Sequence, residues 1–329
     1  MSELALLDRT DRRWSDYLDA SPELSPFHTE WWSGFLSACY GFPTVAAVVL
    51  DRDRVRAGLP VAIVRRHRWV ALPFTDSCAP LGDARTLGRL LESGRGRTTI
   101  DVHGELPGAD ARCVALNHSL ALAPDPAVVY AKFHRSQVQR NIRRAEREGV
   151  EVRRATAEED VTRTFYALHV RTRRRLGAPV QRRRFFSLLW RRVLATGNGE
   201  ALLAFHEGRA VAGAVFIETG GTVVYKYGAS DERSWHLRPN HLLFWAAIRR
   251  ACSDGRTAFD FGRTDLADIG LRNFKRGWGT DERELRYSSL GGNLGAEAHQ
   301  RAAVAARRLI QSSPTVVCRG AGLFYRFAA

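Results

Sequence analysis

Three β-rich runs in the second half of the chain, at residues 201–206, 210–218 and 222–227, constrain the fold more than any other feature. Glu207-Gly208 and Gly220-Gly221 mark the short turns between them. Turns this short join only antiparallel neighbours, because a parallel partner needs a crossover of about a dozen residues or more. The next β-rich run, 256–261, lies beyond a helix-patterned stretch at 240–252, which is long enough to be such a crossover. Ahead of the meander, 158–175 and 181–194 carry apolar residues at helical spacing. The order predicts a mixed sheet flanked by helices, an α/β (α+β) unit.

The first half runs through a similar order in shorter elements. A helix rich in aromatics is expected at 29–40 and strands at 45–50 and 59–64, around the turn-like Asp51-Arg52-Asp53. The run 69–73 leads into a loop through Asp76 and Pro80-Leu81-Gly82, then a helical pattern at 86–91 and a strand at 98–102. The strand endings match as well: Thr98-Thr99-Ile100-Asp101-Val102-His103-Gly104 against Thr257-Ala258-Phe259-Asp260-Phe261-Gly262. An internal duplication follows, with one domain over 1–123 and a second over 150–290. Between them, Asp125 and Pro126 suit an N-cap and first turn, and Gly149 a C-cap, so 124–149 is expected to be one continuous basic helix. The remainder, 291–329, reads as a basic, alanine-rich helix at 297–311 and an apolar, aromatic tail that packs on a core.

A chain of 329 residues can bury two ordinary cores. No run of about 18 apolar residues predicts a membrane span, and the acidic, mixed opening at 1–11 lacks the order of a secretion leader. Five cysteines, scattered and odd in number, predict reduced thiols and a cytoplasmic protein. No metal-like spacing, P-loop or Gly-x-Ser-x-Gly is present, so neither a metal nor a bound cofactor is expected.

The net charge of +15 is concentrated. Residues 132–192 hold 18 Lys and Arg against 6 Asp and Glu. Arginine clustered in this way suits a polyanion: nucleic acid, a nucleotide-linked substrate or an anionic membrane surface. Arg140, Arg143, Arg144 and Arg147 are the candidates for nucleic-acid contact. Lysine, by contrast, occurs only at Lys132, Lys226 and Lys275, against 47 arginines. A lysine that survives such a bias draws attention to chemistry that arginine's planar fork performs badly.

A meander followed by a loop and a helix is the layout of GNAT-type acyltransferases, in which a glycine-rich loop at the helix N-terminus cradles the pyrophosphate of coenzyme A. Here that loop, 235–241, has no glycine, and Pro239 removes a donor; Arg238 retains a charge for a phosphate. Three segments together resemble the Fem family of aminoacyl-tRNA-dependent transferases, built from two tandem GNAT-like domains. They are Tyr225-Lys226-Tyr227-Gly228-Ala229-Ser230, then Leu242-Leu243 through Asp260-Phe261-Gly262, then Gly270-Leu271 through Phe274-Lys275 and Trp278-Gly279. The stretch 138–152, with Asn141-Ile142-Arg143-Arg144-Ala145, is similar to the family's entry to its second domain. The resemblance covers most of 115–290 and extends equally to GNAT-like acyltransferases of polysaccharide clusters.

The resemblance implies transfer of an amino acid from aminoacyl-tRNA to an amine acceptor, nucleotide- or lipid-linked, forming an amide in cell-wall precursor or specialised-metabolite synthesis. Work against the inner membrane face is compatible with it. Lys275 would then stabilise the tetrahedral oxyanion, with Phe274 as the adjoining wall. Strand alternation puts Tyr225 and Tyr227 on one side and Lys226 on the other, so the tyrosine face would line the acceptor site. Arg175, or Arg174 one step back, would hold an acceptor phosphate, and Asp260 would accept the proton of the attacking amine. Two other readings stay open: an acyl-CoA-dependent N-acyltransferase of the same fold, and a non-catalytic nucleic-acid- or envelope-binding relative.

Overall fold

The computed structural model describes residues 2–292; the helix and tail expected beyond them lie outside the described residues. These residues form two compact units, one of 2–116 with 284–292 and the other of 117–283.

In the first unit the strand Glu3–Asp8 pairs antiparallel with Thr44–Asp51, which pairs with Arg54–Arg65, which pairs with Arg68–Val70. The helix Ala84–Gly94 then crosses over, and Thr99–Val102 lies parallel to Arg68–Val70. Helices Arg12–Asp19 and Glu30–Tyr40 precede the meander, the second capped by Thr29, whose hydroxyl accepts from Trp32 N. Trp14, Leu18, Val48 and Leu50 are among the side chains that form its core.

The second unit follows the same order. The strand Glu151–Arg154 pairs antiparallel with Gly199–His206. Helical segments Asp160–Phe165, Tyr166–Arg175 and Arg183–Leu189 come between them. Gly199–His206, Arg209–Thr219 and Thr222–Ser230 form the meander. Helix Pro239–Ser253 crosses over to Ala258–Asp265, which lies parallel to Thr222–Ser230. Both units therefore read strand, two helical stretches, three antiparallel strands, helix, parallel strand. The duplication and the mixed α/β class expected from the sequence are what the chain forms.

Five strands were not legible in advance: Glu3–Asp8, Leu81–Gly82, Glu151–Arg154 and, the two longest, Asp110–Ala121 and Asp281–Leu290. Asp110–Ala121 buries polar His118 among apolar residues, and Asp281–Leu290 opens on Asp-Glu-Arg-Glu, so neither shows a clean apolar alternation. Each contains a point at which the chain passes from one unit to the other.

The single basic helix expected over 124–149 is broken. Its caps are where the sequence puts them: Asp125 accepts from Ala127 N at 2.8 Å, and Gly149 has φ +75°. Helix Pro126–Ala131 nevertheless stops, and helical turns resume over Arg135–Gln139 and Arg140–Arg147. The His134 N–H leaves the helix for the Gly277 carbonyl, 2.8 Å away, while its ring nitrogen caps the second run by accepting from Gln137 N. Gln139 Nε2 then donates to the carbonyl of Phe133, at 3.0 Å, and to that of Tyr130, at 3.1 Å, which also accepts from Phe133 N. A tertiary partner overrides the local helical pattern.

Candidate active site

The parallel ladder of the second unit runs from Thr222 opposite Ala258 to Val224 opposite Asp260. Just past it, Gly262 takes φ +71°, a conformation that costs glycine little and other residues more. Through this kink within strand Ala258–Asp265 the successive carbonyls of Gly262 and Arg263 both meet one donor, Lys275 Nζ, at 2.8 and 2.9 Å. Lys275 is only 2% exposed, so its ammonium is viable there because it is hydrogen-bonded. Helix Ile269–Arg276 carries it, capped by Asp268, whose carboxylate accepts from Leu271 N at 2.9 Å. Asp260 secures the same kink from the other side. One carboxylate oxygen accepts from Gly262 N at 2.6 Å and the other from Asn117 Nδ2 at 3.2 Å.

Beside Asn117 stands His118, fully buried, with neither ring nitrogen hydrogen-bonded among the described residues. Its Nε2 lies 4.0 Å from Glu282, whose carboxylate is held by Arg272 at 2.7 and 2.5 Å. Burial, and after it the charge of Lys275, push the imidazole down to about 4, so it is neutral at pH 7. Sequence reasoning missed His118 because its strand was not recognised.

Phe274 turns into a cluster of rings. His241 meets it edge-on at 5.2 Å, Phe244 lies at 5.9 Å and Trp278 at 6.1 Å. His241 stacks on Trp278 and is pushed down to about 4, first by burial and then by Arg238. Tyr225 joins through Phe244, at 4.7 Å, and Phe216, at 5.9 Å; burial raises its phenol to about 12. The phenol rests over Gly228, where a Cβ would stand 1.7 Å from the hydroxyl.

Tyr227 does not share that side, contrary to the alternation argument. The register passes from Val215 opposite Tyr227 to Phe216 opposite Tyr225, so Lys226 is the extra residue of a β-bulge. The bulge reverses the side-chain phase, and Tyr227 packs on Phe185 and Phe186 of helix Arg183–Leu189. Of the expected residues, Lys275, Phe274, Asp260 and Tyr225 are thus joined by contacts, and Tyr227 belongs elsewhere.

Arg174 and Arg175 line a separate cleft of about 460 Å³ with Arg171, Ser230, Asp231, Glu232 and Arg233. Arg175 lies over the Trp235 ring at 4.6 Å, with Nε 3.8 Å from Glu232. Asp231 organises the cleft, meeting Arg233 at 2.8 Å, Arg171 at 3.1 Å and Arg209 at 3.4 Å. The hydrogen bond from Arg233, the largest influence, helps hold its carboxyl down at about 2, from an ordinary 3.8. A lowered carboxylate stabilises the fold above its unfolded value and loses that contribution as pH falls through the folded one. Asp231→Asn is therefore expected to lower the melting temperature at pH 7, and the gap from the parent should narrow as pH falls from about 4 towards 2; thermal melts across that range test it.

Arg238 sits in the left-handed region, φ +59°, directly before helix Pro239–Ser253, with its Nε buried and without a hydrogen bond among the described residues. On helix Arg140–Arg147, Arg140, Arg143 and Arg147 are exposed, while Arg144 pairs with Glu148 at 3.4 Å. Among the described residues, no three His, Cys, Asp or Glu side chains gather as metal ligands, and no helix is long and apolar enough to cross a membrane.

Comparisons with known proteins fit this geometry. Residues 132–276 match the acetyltransferase (GNAT) domain model. The lipid II:glycine glycyltransferase of Staphylococcus saprophyticus is 36% identical over 80 residues, covering 22% of this chain and 19% of that protein. The matched stretch is thus about a fifth of the relative's length. Among solved structures, FemX superposes with TM-score 0.66 at 15% identity, over 92% of this chain and 100% of that one. A tandem GNAT protein from the clavulanic acid biosynthesis pathway superposes with TM-score 0.52 at 13% identity, covering 90% and 100%. The chain has a Fem-like GNAT fold.

Proposed function

We propose that the protein is an aminoacyltransferase that moves an amino acid from aminoacyl-tRNA to an amine acceptor. The observation that carries this reading is Lys275, a buried ammonium behind Phe274 in a Fem-like fold. The acceptor nitrogen attacks the ester carbonyl, a tetrahedral oxyanion forms, and the carbon–oxygen bond to the ribose breaks. The proton lost by nitrogen ends on the leaving hydroxyl, with Asp260 as the group that carries it. Lys275 supplies positive charge where the oxyanion develops, and Phe274 and Tyr225 wall that space. The name of the staphylococcal relative supports a lipid-linked amine as acceptor, hence work at the inner membrane face. The Arg174–Arg175 cleft supplies cationic contact for an acceptor phosphate. Arg140, Arg143, Arg144 and Arg147 face the donor RNA.

A second reading, transfer from acyl-CoA, is favoured by the GNAT domain match and by Arg238 at the start of helix Pro239–Ser253. The two separate in one assay: purified protein, offered charged tRNA or acetyl-CoA, with amine acceptors that include lipid II. Ribonuclease-sensitive transfer is expected, with an apparent tRNA affinity that falls linearly in log–log against salt. Ribonuclease-resistant transfer from acetyl-CoA alone would replace the tRNA reading with the CoA one.

A further inference from the structure

Helix Ile269–Arg276 carries the candidate lysine, yet little apolar surface holds it in place. Of its eight residues Lys275 alone is buried, while Ile269 is 55% and Leu271 37% exposed. A helix in a globular protein usually gains its stability by packing an apolar stripe on a core. This one lacks such a stripe, so polar and aromatic contacts set its pitch and rotation. Its last turn is anchored by Lys275, on the Gly262 and Arg263 carbonyls, and by Phe274, in the ring cluster. Asp268 caps its first turn, but that bond lies within the segment and cannot orient the helix.

Between the two stands Arg272. Its Nε and Nη2 donate to the two carboxylate oxygens of Glu282, at 2.7 and 2.5 Å, a fork-on-carboxylate geometry that fixes direction as well as distance. Arg272 precedes Lys275 by three residues, so the two side chains are neighbours on one face of the helix. Glu282 belongs to the strand Asp281–Leu290, so the pair ties the helix to a different element. The neutral ring of His118, fully buried, lies 4.0 Å from the same carboxylate. That is beyond hydrogen-bond reach and leaves both oxygens to Arg272. With side chains 35% and 22% exposed, Arg272 and Glu282 contribute little to stability. Their contribution is orientation. We infer that Glu282 is a positioning residue for the transfer reaction: through Arg272 it fixes the helix that sets Lys275 Nζ on the strand kink and Phe274 beside it. The inference rests on the reading of Lys275 as the cation that stabilises the oxyanion. A catalytic group displaced by about 1 Å can lose about 10²-fold in rate, so a loosened helix costs rate before it costs stability.

The test uses the full chain with Glu282→Gln, Arg272→Gln and the double variant, and two readouts. The first is acylation of lysines by acetic anhydride, followed by mass spectrometry. With only three lysines in the chain, exposed Lys132 serves as the internal standard for buried Lys275. Both single variants are expected to raise the labelling of Lys275 severalfold relative to Lys132, with a melting temperature within about 4 °C of the parent. The second readout is steady-state transfer from charged tRNA. There kcat should fall about 10- to 100-fold with KM nearly unchanged, and the double variant should be no slower than either single one. Labelling of Lys275 at the parent's rate in both variants would overturn the inference. So would losses in kcat that multiply in the double variant, since Glu282 would then act independently of Arg272. The labelling needs no substrate, so it decides whether Glu282 holds Lys275 even if the protein transfers nothing from aminoacyl-tRNA. Raised labelling with an unchanged kcat would overturn the positioning role together with Lys275's part in the reaction.

Discussion

Lys275→Met is expected to lower the rate of transfer by about 10²- to 10³-fold, with kcat and kcat/KM falling together. The methionine matches the lysine stem in length and fills the buried space, so what is removed is the charge. Stability should change far less than rate. The substitution leaves the Gly262 and Arg263 carbonyls without their donor, a loss of about 1–3 kcal/mol for each buried group. It also relieves the chain of burying an ammonium, which offsets part of that loss. Lys275→Arg keeps the charge, but its planar fork cannot reproduce a point donor to two successive carbonyls around a left-handed glycine, so activity should not return. Steady-state kinetics with charged tRNA, beside thermal melts of each variant, separate the two roles. A rate that falls only in proportion to the folded fraction would make Lys275 a clamp on the Gly262 kink and nothing more.

That kink shows where sequence reading reaches and where it stops. The meander, crossover helix and last strand of each unit were legible because short turns and apolar periods are local properties, whereas the opening strands Glu3–Asp8 and Glu151–Arg154 were not: the spacing around Glu207-Gly208 and Gly220-Gly221 leaves an antiparallel meander as the simplest solution. Lys275 stood out in the sequence for a compositional reason, its rarity among 47 arginines. Its actual partners were not, since two backbone carbonyls converge only once Gly262 adopts φ +71°. Tyr225 and Tyr227 were misread because alternation assumes an unbroken ladder, and the bulge at Lys226 depends on the neighbouring strand as much as on its own residues. The helix over 124–149 failed for the same kind of reason. Asp125 and Gly149 are genuine caps, but His134 finds the Gly277 carbonyl, a partner far away in the chain. His118 was invisible because a buried histidine between Asn117 and Ser119 looks like an exposed polar stretch until its strand is placed.

Trp278→Ala should reduce the free energy of unfolding by about 3–5 kcal/mol, the range for emptying a large aromatic site in a core. A loss of that size is a large share of the roughly 5–15 kcal/mol that holds a typical protein folded. Trp278 is fully buried and lies at the centre of the ring cluster, 5.0 Å from Phe133, 5.6 Å from Phe244 and 5.7 Å from Phe261, with His241 stacked on it. No residue around it can collapse into the space without giving up an aromatic contact of its own. Trp278→Phe should cost much less. The phenyl ring fills most of the site, and the buried indole N–H, which has no hydrogen-bond partner among the described residues, disappears with the substitution. Urea titration of the three proteins measures both changes, and an alanine variant within about 1 kcal/mol of the parent would show that these rings do not form a packed core. The coupling to function is sharper than the stability loss. Trp278 touches Phe274 on one side and Phe133, beneath Trp245, on the other, so Phe274→Ala and Trp278→Ala should be strongly non-additive in transfer rate. Additive effects would mean that Trp278 does not position Phe274 beside Lys275.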